Sequence, residues 1–194
     1  MRGFERFNNL SNSRRLFKTR SSLIITLGII ALVVGGSIFY MNSIVKSKSG
    51  PTPAGKSEKV AIDKTFSFNA IVATNRDRKE LVTVTLKNVQ RTNTIRSNGK
   101  QQSLKNGSSF ILLTFVIEND SNEKLIYPTK DFVRFIDQNG KKFAPSLSEQ
   151  AILVEPQSTK INTVGFVEPD TMKKMKFSIG PLDQEKETIE VNFK

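Results

Sequence analysis

The amino-acid sequence predicts an all-β fold, an antiparallel β-sandwich, preceded by one N-terminal transmembrane α-helix. Two observations lead to this fold class. Residues 23–41 form an uncharged apolar run. From residue 64 onward, short segments with apolar-polar alternation follow one another, separated by Asn, Gly and Pro residues, and none of them has the period of a soluble helix.

The N-terminal run has the length and the flanking charges of a membrane span. Its 19 residues would form a helix about 28 Å long, close to the roughly 30 Å hydrocarbon core of a bilayer. Residues 1–20 carry six cations and one acid, whereas two cations, Lys46 and Lys48, stand in the ten residues after the run. This bias favours a cytoplasmic N-terminus. We therefore predict a basic cytoplasmic tail (1–20), a single transmembrane helix (21–41) and an extracellular C-terminal domain at the cell membrane.

A cleaved signal peptide is the alternative interpretation of the same run. Its apolar core would be residues 23–34, and Gly35-Gly36-Ser37 would supply the cleavage site. The apolar stretch continues to Met41, however, beyond the usual signal core of about 7–15 residues. Tyr40 also stands where an interfacial aromatic residue belongs. We favour the uncleaved anchor; cleavage would release the same domain as a secreted protein.

Composition changes after the run. Residues 42–63 (NSIVKSKSGPTPAGKSEKVAID) are rich in Ser, Lys, Gly and Pro, and they show no hydrophobic period. Such a segment is predicted to be a flexible stalk. The remaining residues, 64–194, have a suitable length for one extracytoplasmic domain with its own core.

Alternation and β-branched residues predict the strands of this domain. The predicted strands are 66–72, 82–86, 110–117, 132–137, 141–143, 151–154, 160–167, 174–179 and 188–193. Asn139-Gly140 lies between two of them and predicts a hairpin with a type I′ turn. Ten of the 14 Phe residues lie in the domain and are its expected core fillers. Phe115, in the middle of the most apolar segment, is expected to face a sheet interior.

A family resemblance is visible in two segments, residues 108–145 (SSFILLTFVIENDSNEKLIYPTKDFVRFIDQNGKKFAP) and 153–170 (LVEPQSTKINTVGFVEPD). A long strand ends in Asn119-Asp120, and the next strand leads into a hairpin of the form Asp-x-x-Gly-Lys at residues 137–141. A proline-led turn then precedes a strand that closes on Phe-x-x-Pro at residues 166–169. This order of elements resembles the telokin-like, immunoglobulin-like domain of unknown function found in many Gram-positive membrane proteins and lipoproteins.

The resemblance covers residues 64–194 and implies an immunoglobulin-like sandwich that faces outward from the cell. The sequence departs from the usual pattern of the family at two points. Gln157 occupies a position where the family usually has Gly, and the lipidated cysteine of many members is absent. The family has no established activity, so the resemblance brings no catalytic residues.

Composition excludes several catalytic chemistries. The chain has no His and no Cys, so Ser-His-Asp triads, Cys-His dyads and zinc sites built on these residues are impossible. Asp137-x-Asn139-Gly140 resembles part of a calcium loop, but the glycine comes too early and no Glu follows at the twelfth position. We expect no catalytic residue, no metal and no cofactor. The alternative is an envelope-polymer hydrolase that uses two carboxylates, although no local spacing identifies the pair.

Residues 92–109 (TNTIRSNGKQQSLKNGSS) are a candidate binding loop. The segment holds the cations Arg96, Lys100 and Lys105 and no acid, and it lies between two strong strands. Long loops on a rigid sandwich often carry binding residues. A disordered insertion is the alternative.

Gly28, Ala31 and Gly35 form a second candidate site within the predicted membrane helix. At 100° per residue they fall on one side of the helix, and such small-residue stripes allow helices to approach closely. Glycine is also common in membrane helices that do not pair, so this stripe alone does not predict an oligomer.

These predictions converge on a membrane-anchored binding or scaffolding module at the cell envelope rather than an enzyme. The expected partners are the membrane and another envelope protein or an anionic wall polymer. The net charge of +12 is distributed along the chain, with acids among the lysines of residues 64–194, and this pattern does not indicate nucleic-acid binding. Homo-oligomerisation stays open.

Overall fold

The computed structural model describes residues 48–105, 107–181 and 185–194. The predicted cytoplasmic tail, the membrane helix and the stripe of Gly28, Ala31 and Gly35 therefore lie outside the described residues. None of the described residues belongs to a helix with the length and hydropathy of a membrane span.

Strands dominate the described part of the chain. In chain order they are β1 (Lys48–Ser49), β2 (Thr52–Pro53), β3 (Ser57–Val72), β4 (Asn75–Thr92), β5 (Thr94–Ser97), β6 (Lys100–Ser103), β7 (Ser108–Asn119), β8 (Leu125–Tyr127), β9 (Val133–Ile136), β10 (Lys142–Phe143), β11 (Ile152–Val154), β12 (Ser158–Pro169), β13 (Lys174–Ile179) and β14 (Glu187–Asn192). A four-residue helix, α1 (Thr129–Phe132), precedes β9.

The strands pair into three sheets. The largest has seven strands in the order β1-β12-β7-β4-β3-β8-β11, and the second has four in the order β10-β9-β13-β14. A three-stranded sheet, β2-β5-β6, completes the set. Neighbouring strands are antiparallel except for the short parallel pair of β1 with β12. The predicted all-β, antiparallel fold class is confirmed.

The seven- and four-stranded sheets share one hydrophobic core. The ring of Phe166 on β12 lies 6.0 Å from that of Phe135 on β9 and 5.8 Å from that of Phe177 on β13, measured between ring centroids. These distances are typical of aromatic pairs in protein interiors. Phe115 on β7 is 1% exposed within the same core, as the sequence predicted. The two sheets therefore pack face to face as a sandwich.

Strand β7 is apolar on both faces because its outer face is covered as well. Phe110 and Leu112 point away from the main core and form a second cluster with Ile95 of β5. Leu104 and Leu147 pack against this cluster. The β5–β6 hairpin thus serves as a lid over the outer face of the seven-stranded sheet.

The predicted stalk is wrong for residues 48–63. This stretch contains β1, β2 and the first half of β3, and β3 pairs with β4 from Ser57 onward. The sequence does alternate here, and Val60 and Ile62 pack against the main core. Ser57, Lys59 and Asp63 lie on the opposite face of the strand, and Glu58 precedes Val60 on the inner face, so polar residues hid this period. The folded domain begins before residue 64, and the described residues from 48 onward form one compact unit.

The predicted loop at residues 92–109 is also wrong in form, because residues 94–103 are the paired strands β5 and β6. Neither an irregular loop nor a disordered insertion describes these residues. Leu104 and Ile95 explain the difference, since both apolar side chains have a core cluster to join. Two apolar residues in a long polar segment were too few to predict the strands β5 and β6 from the sequence.

The hairpin between β9 and β10 is present, but its turn is not the predicted type I′. Of the central residues, Gly140 has a positive φ (78°) and Asn139 does not. The Asp137 carboxylate accepts hydrogen bonds from the backbone N–H groups of Asn139 (2.9 Å) and Lys141 (2.7 Å). An aspartate that bonds to the backbone of its own turn favours this longer connection.

Gln157 adopts a φ of 49°, a left-handed conformation that glycine would adopt without strain. Its side-chain amide donates to the carbonyl of Asp120, and its backbone N–H donates to the carbonyl of Ser121 at 3.1 Å. These bonds hold the turn after Pro156 in place. The proline-led turn that the sequence predicted is thus formed with Gln157 at this position.

Candidate functional site

The outward face of the four-stranded sheet is strongly basic. On β9, Val133 and Phe135 are buried in the core, so Arg134 points outward. On β13, Met175 and Phe177 are buried, so Lys174 and Lys176 point outward. The burial of alternate residues thus assigns the cations of both strands to one surface.

The strand register brings these side chains into rows across the sheet. Lys142 of β10 pairs with Ile136, Ile136 pairs with Lys176, and Lys176 pairs with Glu190 of β14. In the next row, Arg134 pairs with Ser178. Directly paired residues on one face of an antiparallel sheet have Cβ atoms about 4.5–5.5 Å apart. Residues far apart in the sequence therefore become neighbours.

Lys186 joins this surface from the segment before β14. It packs on Gly180, where an added methyl group would come within 3.0 Å of Lys186 Cα and 3.1 Å of its Cγ. Its ammonium group lies 3.4 Å from the carbonyl of Asp131. We use the term basic face for Arg134, Lys142, Lys174, Lys176 and Lys186.

Two cations of the basic face share one acid. The Glu190 carboxylate forms ion pairs with the ammonium groups of Lys174 (N–O distance 2.8 Å) and Lys176 (3.0 Å). Hydrogen bonds from these two lysines lower the pKa of the Glu190 carboxyl from its ordinary value. This half of the face keeps one net positive charge.

The other three cations have no such partner. Arg134, Lys142 and Lys186 form no ion pair with another described residue. Burial lowers the pKa of the Lys186 ammonium; the charges of Arg134 and Lys142 lower it further, and Asp131 opposes them. The charges of Arg134 and Lys142 thus both act against the charge of Lys186.

A cleft of about 380 Å³ lies at the end of the face near the β9–β10 turn. Its lining residues are Ile136, Asp137, Gln138, Gly140, Met172, Lys174 and Lys176. The carbonyl of Met172 accepts a hydrogen bond from Arg91, whose guanidinium stacks 4.2 Å from the ring centroid of Phe193. These contacts hold one wall of the cleft in position.

The alternative of a hydrolase requires two carboxylates, and the cleft lining contributes one of them, Asp137. Asp137 is engaged by the backbone N–H groups of its own turn. Burial raises the pKa of the Glu168 carboxyl, and the negative charge of Asp137 raises it further. Within the described ranges, no group of three or more acidic residues has the geometry of a metal site.

The cations that the sequence singled out lie elsewhere. Arg96 on β5 and Lys100 on β6 are exposed on the lid hairpin, and Lys105 follows it. Arg96 pairs with Gln101 rather than with Lys100, so Arg96 and Lys100 point to opposite faces of the hairpin. The structure does not gather these two cations into one cluster.

The sequence contained a signal for the basic face. Val133-Arg134-Phe135 and Lys174-Met175-Lys176 both place a cation at the polar positions of an alternating strand. Only the pairing of β9 with β13, about 40 residues later in the chain, turns the two signals into one surface.

No family model matches the chain, and no curated protein matches it. Among solved structures, the chain is similar to the 2.2 Å crystal structure of a conserved hypothetical protein from Bacillus anthracis. The two sequences are 17% identical, the match covers 70% of this chain and 98% of the other, and the TM-score is 0.46.

Proposed function

We propose that the protein is a membrane-anchored, extracytoplasmic binding module whose basic face binds an anionic polymer of the cell envelope. The observation that carries this proposal is the collection of five cations and one acid on the outward side of one sheet. The proposal takes a non-enzymatic, scaffolding role as its premise. The resemblance to telokin-like envelope domains and the apolar run at residues 23–41 support the location.

The shape of the face favours a polymer over a compact ligand. Neighbouring strands are about 4.8 Å apart, and same-face residues on one strand are about 6.7 Å apart. The cations of β10, β9 and β13 therefore form a two-dimensional array. A chain with a repeated anionic group, such as a phosphodiester polymer, can contact several of them at once, and multiple weak contacts add up to useful affinity.

Replacing Lys142, Lys174 and Lys176 by Gln should weaken retention of the full chain, in a non-ionic detergent, on immobilised poly(glycerol phosphate). Each exposed ion pair contributes roughly 0.2–1 kcal/mol, so the loss of three should weaken binding by about 3- to 100-fold at low salt. Retention of the unmodified chain should also fall as salt is raised, because the Debye length shortens from about 10 Å at 0.1 M to about 3 Å at 1 M.

The matched control is the triple change of Arg96, Lys100 and Lys105 to Gln on the lid hairpin. It removes the same total charge, so a general effect of net charge would weaken both variants equally. We expect the hairpin variant to be retained like the unmodified chain. Equal retention of the unmodified chain and the basic-face variant would contradict the proposal. Loss confined to the hairpin variant would move the binding site to the lid.

The membrane part of the proposal has its own test. If residues 21–41 are an uncleaved anchor, the full chain should remain in the membrane pellet through high salt and alkaline carbonate, because the apolar helix is held by lipid. Protease added to wall-stripped cells should remove the domain and leave the tail. A mature species that begins near residue 38 in the medium would instead establish the secreted form.

A further inference from the structure

The side chain of Ser178 is buried without a hydrogen-bond partner on the basic face. It is 2% exposed, and its hydroxyl oxygen bonds to no described residue. Because Phe177 and Ile179 point into the core, Ser178 points outward, between Arg134 of β9 and Thr188 of β14. A buried donor that lacks a partner is unfavourable, so such a group in a native structure calls for an explanation.

Two unpaired cations, Arg134 and Lys186, lie next to this residue. Arg134 is its direct cross-strand neighbour, and the Arg134 Nη1 donates to the carbonyls of Lys130 (2.8 Å) and Val133 (2.7 Å), which fix the guanidinium. Lys186 packs on Gly180, two residues from Ser178 on the same face. Lys142 lies farther away, on β10 and opposite Ile136, in the neighbouring row of the sheet.

We propose that Arg134, Lys186 and the Ser178 hydroxyl form a binding site for one tetrahedral oxyanion, a phosphate group. The inference rests on the proposed function, since it names the chemical group that the basic face recognises. A guanidinium, an ammonium group and a hydroxyl offer donors from several directions. The oxygens of a phosphate group are arranged tetrahedrally and can meet such donors, whereas the two oxygens of a carboxylate lie in one plane. The bound anion would offset the charges of Arg134 and Lys186 and, after the side chains that cover Ser178 move aside, give the buried hydroxyl an acceptor.

Thermal unfolding of the full chain in a non-ionic detergent tests the site with sodium phosphate as the probe and sodium chloride of equal ionic strength as the reference. At ten times the Kd, phosphate should raise the Tm by about 3–6 °C. Ser178→Ala should bind phosphate about tenfold more weakly, because one hydrogen bond to a charged group is lost. Its Tm rise at the same phosphate concentration should fall to about 1–2 °C.

Ser178→Ala separates binding from folding, since removal of an unpaired buried hydroxyl should not lower the Tm in chloride. Thr188→Ala, which changes the exposed neighbour on the other side, is the matched control and should respond to phosphate like the unmodified chain. The proposal is overturned if phosphate gives no rise beyond that of chloride, or if Ser178→Ala retains the full rise.

Bis-glycerol phosphate, a phosphodiester, distinguishes the two sources of the anion. A Tm rise with this probe that depends on Ser178 assigns the site to a phosphate within a polymer, and a rise with inorganic phosphate alone assigns it to the free ion. The outcome of the polymer-retention experiment does not depend on the outcome of the phosphate experiment, because Ser178→Ala changes no charge on the basic face. If the basic-face triple variant loses polymer retention but phosphate does not raise the Tm of the unmodified chain, only the phosphate site is refuted. If phosphate raises the Tm but the triple variant is retained like the unmodified chain, only polymer binding is refuted.

Discussion

Truncation of Phe115 to alanine is expected to lower the free energy of unfolding by about 3–5 kcal/mol. Phe115 lies in the middle of β7, is 1% exposed and belongs to the core shared by the two larger sheets. Its removal would leave a cavity that the rigid sheets on both sides cannot close. Since a domain has about 5–15 kcal/mol of stability in total, the variant should be close to unfolding at physiological temperature.

Urea unfolding of the full chain in a non-ionic detergent, followed by circular dichroism, measures this loss. Phe143→Ala is the matched control: it removes the same side chain from the edge strand β10, where Phe143 is 39% exposed. We expect the control to lose less than half as much stability. Equal losses in the two variants would show that the facing of β7 is wrongly assigned.

Replacement of Asn119 by alanine is expected to cost at least about 3 kcal/mol, because several buried polar groups would lose their partners together. The Asn119 side chain is fully buried at the end of β7. Its amide donates to the carbonyls of Glu123 (2.8 Å) and Glu155 (2.9 Å), with a longer contact to Val154 (3.3 Å). Its carbonyl oxygen accepts from the N–H (3.0 Å) and the hydroxyl (2.7 Å) of Ser121.

Asn119 thus ties the end of β7 to the following turn and to the end of β11. The same denaturation experiment tests this role, with Asn122→Ala as the control, since Asn122 is an exposed residue of the same turn. Asn119→Asp is a second test: it has nearly the same shape, but a carboxylate cannot donate to the carbonyls. We expect Asn119→Asp to be as unstable as Asn119→Ala near neutral pH. Stability equal to that of the Asn122 control would exclude the proposed role.

Local pattern was sufficient to predict the strands that alternate clearly or carry many apolar residues. The predicted strand at residues 174–179 coincides with β13, and that at 110–117 lies within β7. The residues of these segments themselves show the alternation of a half-buried strand or the continuous apolar run of a fully buried one. The polar turn after Asn119 was also visible, but the bonds from the Asn119 side chain to Val154 and Glu155, more than 30 residues later, were not.

The missed features depend on pairing between distant segments. The first half of β3 has a polar composition and is ordered because β4 offers it a partner along its whole length. The basic face requires β9, β10 and β13 to lie side by side, and Ser178 becomes part of a site only because its neighbour on β9 is Arg134. Charge counted along the chain shows an even distribution, whereas the register concentrates it on one surface.

Lysine footprinting is the most direct test of whether the basic face binds an anionic polymer. The full chain would be acetylated briefly with and without poly(glycerol phosphate), and mass spectrometry would measure the modification of each lysine. Bound polymer should protect Lys142, Lys174, Lys176 and Lys186, because anion contact shields their ammonium groups, while Lys100 and Lys105 react as before. Protection of Lys100 and Lys105, with the four lysines of the basic face left fully reactive, would contradict the assignment of the basic face as the binding surface.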